Sequence, residues 1–229
     1  MAGIFGCLAL SLALAVFMIT QEKKKAPLGV YLSKTMASVS FVTAGFLAFP
    51  LSAGSLQTRL LILGGLCLGM LGDIFLCRKQ IARVEFWPQL MIAGGGFFLF
   101  GHFSYFAAFC LMLRGNYPWT FLAVPALGLL VLILLNQKSW NLPRKQWPGY
   151  IAYALASGLL LAGGAEVLIR GENGVAGMIL FIAGVLFVFS DLALGTYNFS
   201  KLHSLWMRYI CILSYYSAQA LFVLGLWMM

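Results

Sequence analysis

Two aspartates stand alone in long apolar runs. Asp73 sits near the end of a run that contains LGMLGDIFL, Asp191 follows Ser190 within LFVFSDLAL, and the chain has no other aspartate. A carboxylate in hydrocarbon costs roughly 3 kcal/mol or more, so intramembrane acids usually face a protein-lined cavity and are used there. Two of them, each near the same end of its run, point to one shared site. Both also lie toward the C-terminal ends of their helices, where the macrodipole and the low dielectric disfavour negative charge. At least one carboxyl can then stay protonated. One proton held beside one proton lost is the equipment of general acid/base hydrolysis.

The other polar groups inside apolar runs are few: Lys34, His102, Tyr105, Glu166, Ser190, Tyr215, Tyr216 and Gln219. His102 and Tyr105 are spaced i,i+3 and Tyr215 and Gln219 i,i+4, so each pair shares a helix face. Gly65, Gly69 and Asp73 form one stripe that lets a neighbouring helix come close beside the acid. Each of these has a plainer reading. An intramembrane aspartate serves structure or ion relay in many proteins, and a lone histidine is more often a satisfied core residue. Lys34 can be a lysine snorkelling to the interface. Glu166, four residues before Arg170, makes a local helix pair.

Metal hydrolysis is disfavoured, because His102 and the loop residue His203 do not supply the usual three protein ligands of catalytic zinc. Ser190 lacks the strained turn of a nucleophilic serine. The five cysteines show no CxxC pair and read as small apolar packing residues. The chemistry calls for no cofactor.

Composition dictates what must position these groups. With 62% hydrophobic and 9% charged residues and a mean hydropathy of +0.94, the chain is excluded from the ordinary soluble class. It is all-α, a polytopic membrane bundle, because helices satisfy their own backbone in lipid and no barrel-like alternation is present. Eight spans are expected, at about Gly3–Thr20, Val30–Pro50, Leu60–Cys77, Leu90–Leu113, Trp119–Asn136, Tyr150–Ile169, Val175–Thr196 and Leu205–Met228. They form one domain over residues 1–229. The first span, with nothing basic before it and Gln21-Glu22-Lys23-Lys24-Lys25 after it, is expected to stay as a helix.

The net charge of +9 reflects topology rather than nucleic acid. Twelve of the fifteen Lys and Arg residues follow spans one, three, five and seven, whereas Arg59, Arg114 and Arg170 lie on the other side. Both termini are therefore expected to be non-cytoplasmic. Asp73 and Asp191 come out one to three turns beneath the cytoplasmic surface. They are 118 residues apart, and Asp73 precedes His102 by 29 residues as Asp191 precedes Gln219 by 28. That spacing fits a weak repeat of two four-helix halves, about 1–115 and 116–229.

Gly72-Asp73, His102 to Tyr105 (HxxY), Ser190-Asp191 and Tyr215 to Gln219 (YYxxQ), in that order on eight spans, resemble the YhhN-like lysoplasmalogenase family of membrane hydrolases. One departure is Thr35 after Lys34, where the family often has Lys-Pro. The resemblance implies hydrolysis of the vinyl ether bond of lysoplasmalogen to a fatty aldehyde and glycerophosphoethanolamine or glycerophosphocholine. Asp73 and Asp191 would be the essential acids. Lys34, His102, Tyr105, Ser190, Tyr215 and Gln219 are then the expected substrate-binding residues. The partners would be a lysophospholipid and membrane lipids; separately, the short loops suit a bacterial inner membrane. The rival reading is a small-molecule or proton-coupled transporter, for which buried acids and half-chain repeats are also natural.

Overall fold

The protein is described here by a computed structural model that covers residues 1–114, 118–200 and 204–229. Lys201, His203 and the expected midpoint between the two halves lie outside the described residues. The eight spans form eight helices: α1 (Ala2–Lys23), α2 (Pro27–Ala48), α3 (Leu56–Arg78), α4 (Trp87–Met112), α5 (Thr120–Lys138), α6 (Trp147–Ile169), α7 (Gly174–Phe199) and α8 (Leu205–Met228). All eight are long and apolar enough to cross a membrane. Among the described residues there is no strand, only an isolated bridge between Trp140 and Ser200.

Several helix ends fall a few residues outside the apolar runs, for two reasons. Gln21, Glu22 and Lys23 are good helix formers and carry α1 past Thr20. Proline opens α2, α4 and α6, where its missing N–H removes no helical bond. Pro27, Pro88 and Pro148 therefore start helices instead of breaking them.

Consecutive helices pair as hairpins, α1 with α2, α3 with α4, α5 with α6 and α7 with α8. Across the pairs, α2 packs on α3 and α8, and α6 packs on α7 and α4. The C-terminal ends of α1, α3, α5 and α7, after which most of the lysines and arginines follow, lie at one end of the bundle, the basic end. Burial divides the helices into an inner and an outer set. The apolar stretch of α8 is 67% buried, against 28% for α1 and 11% for α5. α8 is thus central, and α5 is peripheral.

Lipid tails are as apolar as leucine, so association between spans relies on close backbone approach. On α3, a Cβ at Gly72 would stand 2.7 Å from the Phe98 ring, and one at Gly65 would run into Tyr105. At Gly69 it would meet the Tyr215 hydroxyl at 3.1 Å and Gln219 Nε2 at 3.2 Å. The glycine stripe expected beside Asp73 therefore admits aromatic side chains from both α4 and α8. In the middle of the bundle, Tyr105 and Phe222 stack with centroids 3.7 Å apart and planes within 3°.

Candidate active site

Asp73 and Asp191 face one cavity of about 110 Å³ near the basic end, where space suffices for several waters. α3 and α7 each carry one acid toward it, and α2, α4 and α8 supply the remaining walls. Leu76, Met91, Phe98 and Leu194 make the apolar side.

The two acids sit in different company. Asp73 is 1% exposed, and the Lys34 ammonium from α2 lies 2.9 Å from its Oδ1. One turn further along α2, the Ser38 hydroxyl donates to Asp73 Oδ2 at 2.6 Å. Tyr216 OH lies 3.3 Å from Ser38 Oγ and donates to the Lys34 carbonyl at 3.2 Å, which ties α8 to this corner. Tyr215 turns its hydroxyl toward Asp73 and completes no hydrogen bond there. Both carboxylate oxygens of Asp73 thus meet a partner from α2.

Asp191 has no lysine or arginine against it among the described residues. Its Oδ2 lies 3.1 Å from His102 Nε2 on α4, a close contact that is not aligned as a hydrogen bond. Tyr153 from α6 faces the same carboxyl. His102 is fully buried, stacked on Phe187 with centroids 4.5 Å apart, and its Nδ1 lies 2.8 Å from the Phe98 carbonyl. A carbonyl only accepts, so Nδ1 carries a hydrogen. In a neutral ring Nε2 then offers a lone pair to Asp191. A proton placed on either atom would let the two act as a donor–acceptor pair.

The remaining expected residues separate into those at the cavity and those behind it. Tyr215 and Ser190 line it, but the Ser190 hydroxyl donates to the Phe187 carbonyl at 2.7 Å within its own helix. Tyr105 and Gln219 lie deeper, where Tyr105 OH donates to Gln219 Oε1 at 3.0 Å. Lys34 also reaches the cavity wall, with its ammonium already on Asp73. Away from the site, Glu166 pairs with Arg170 at 3.3 Å as the i,i+4 spacing suggested, and it also accepts from Thr120. Among the described residues no group of His, Cys, Asp and Glu has the placement of a metal site.

Sequence reasoning missed Ser38, Tyr153 and the cavity residues Lys79, Asn198 and Arg208. The spacing of Ser38 four residues after Lys34 was a usable signal, since it puts both on the face that meets Asp73. Arg208 and Lys79 had been counted only as topology charges. Arg208 in fact reaches across to α1, with Nε and Nη2 at 3.0 and 2.7 Å from Glu22 Oε1.

Against known proteins, the model of the YhhN family matches residues 29–226, nearly the whole chain. No curated protein and no solved structure matches. The matched stretch runs from the start of α2 to the end of α8 and includes every residue of the cavity.

Proposed function

The chain belongs to the YhhN family, which includes lysoplasmalogenases, and on that premise we propose that it hydrolyses the vinyl ether bond of lysoplasmalogen. The observation that carries this reading is the unlike pair of carboxyl groups on one small cavity, one against an ammonium and a hydroxyl, the other against an imidazole and a phenol. Vinyl ethers resist base, but they hydrolyse once their carbon is protonated, because the oxocarbenium ion that forms is captured by water.

In this mechanism the His102–Asp191 pair gives its proton to the β-carbon of the vinyl ether and becomes anionic. Asp73, ionised throughout, stabilises the cation across the cavity. Water then adds to the carbon next to the ether oxygen, and the Asp191–His102 pair takes one of its protons. The hemiacetal collapses as its remaining hydroxyl proton passes to the glycerol oxygen, releasing a fatty aldehyde and the glycerophospho product. Each turnover returns the pair to its starting state. The division of labour resembles that of glycosidase carboxylates, where one group serves as acid and then as base.

The setting favours a single-chain lipid. Leu76, Met91, Phe98 and Leu194 offer an apolar wall for the first carbons of the chain. The basic end, by the distribution of Lys and Arg, is the cytoplasmic one, so the head group lies on that side. Purified protein should release aldehyde from lysoplasmalogen and none from its saturated-ether analogue. Equal turnover of the two would remove the protonation mechanism, and substrate-dependent flux into liposomes without aldehyde would make the protein a carrier.

A further inference from the structure

Hydrolysis uses the floor of the cavity and leaves its mouth without a task. Lys79, in the turn after α3, and Arg208, in the first turns of α8, both line that mouth, with Gln80 and Asn198 beside them. Arg208 is anchored from behind by Glu22. Lys79 has no ion pair among the described residues, and its ammonium lies over the Trp87 ring at 5.2 Å. Burial first, and then the charge of Arg208, hold that ammonium below the ordinary lysine range. Two cations with one carboxylate therefore share the mouth, and a positive charge is left facing the cavity.

An anion placed there relieves that repulsion. Lys79 follows Asp73 by six residues, about 9 Å along a helix axis at 1.5 Å per residue. The glycerol backbone between a vinyl ether and its phosphate spans a comparable length. We propose that Lys79 and Arg208 form a phosphodiester subsite at the cavity mouth, which seats the lysolipid head group and fixes how far its ether bond reaches toward the aspartates. For the identity of the lipid this rests on the hydrolase reading; for the anion it does not.

The test is equilibrium binding of radiolabelled saturated-ether lysophosphocholine, which cannot turn over, to the purified full-length protein in detergent. Lys79→Gln should weaken binding about tenfold, close to the loss of one charge-assisted contact. Lys79→Arg, which keeps the charge, should restore it. A 1-alkylglycerol probe, which lacks the phosphate, should lose less than threefold with Lys79→Gln. Equal losses for the two probes, or no loss for either, would overturn the subsite, while aldehyde release by the same preparation would still judge the hydrolase reading. Inorganic phosphate that displaces the lysolipid in the low millimolar range would make the ligand a free phosphate ion and overturn the lipid assignment. Absence of lysolipid binding to the wild type would overturn the proposal outright.

Discussion

Asp73 and Asp191 line one cavity, yet their partners differ in kind. Lys34 precedes Asp73 by 39 residues and Tyr153 precedes Asp191 by 38, and both come from the helix packed beside the acid. α4 brings His102 to Asp191, whereas Gln219 on α8 hydrogen-bonds Tyr105. The two acids therefore have two different sets of neighbours. An ammonium and a hydroxyl meet the first acid. An imidazole and a phenol face the second. Two acids become useful together when their neighbours hold them in different protonation states, and the proposed mechanism draws that difference from these two sets of neighbours.

The largest effect should come from the acid that moves the proton. Asp191→Asn keeps the shape and removes the transferable proton, so kcat/KM for lysoplasmalogen should fall about 10⁴-fold, the upper range for general acid/base groups. Asp73→Asn removes only electrostatic stabilisation, for which a loss of about 10² to 10³-fold is expected. Steady-state aldehyde release measures both in one assay. If Asp73→Asn were the more damaging, the roles assigned from Lys34 and His102 would have to be exchanged.

Lys34 sharpens the same contrast through stability. Asp73 is 1% exposed, and removing the partner of a buried charge costs about 3 to 5 kcal/mol. Lys34→Met should accordingly lower the melting temperature in detergent, and the double variant with Asp73→Asn should recover most of that loss without recovering activity. A double-mutant cycle reads the coupling directly. No comparable coupling is expected between His102 and Asp191, whose contact exchanges a proton. For His102→Gln the expected result is a fall in kcat of about 10²-fold in the same aldehyde assay. An unchanged kcat would make His102 a packing residue on Phe187.

Much of this was legible in the sequence, and what was missing has a physical pattern. Apolar length and composition located all eight spans, because crossing hydrocarbon leaves few alternatives. Rarity exposed Asp73 and Asp191. Spacing within one helix showed which residues share a face, and that was as far as it reached. His102 and Tyr105 share a face, yet one meets α7 and the other α8. Likewise, Lys34 was visible as a buried cation and Glu22 as an acid after the first span, but nothing local says that Asp73 and Arg208 complete them. Those pairings depend on the rotation and depth of each helix against its neighbours. Glycine packing sets these, as at Gly72 beneath Phe98.

The smallest expected effect separates two serines that sequence and geometry rank in opposite order. Ser190 adjoins an acid in the chain and belongs to the Ser-Asp motif, whereas Ser38 is 35 residues from Asp73. In space, Ser38 donates to the Asp73 carboxylate at 2.6 Å, and Ser190 donates to the Phe187 carbonyl one turn back. A hydrogen bond to a charged group contributes about 1.5 to 3 kcal/mol, so Ser38→Ala should lower kcat/KM by about 10-fold or more through a less well held anion. Ser190→Ala should stay within about threefold, because its hydroxyl satisfies a helix carbonyl that already accepts within the ladder. Aldehyde assays on the two alanine variants decide it: the reverse order would mean that Ser190 leaves its carbonyl when substrate binds and works on the Asp191 side after all.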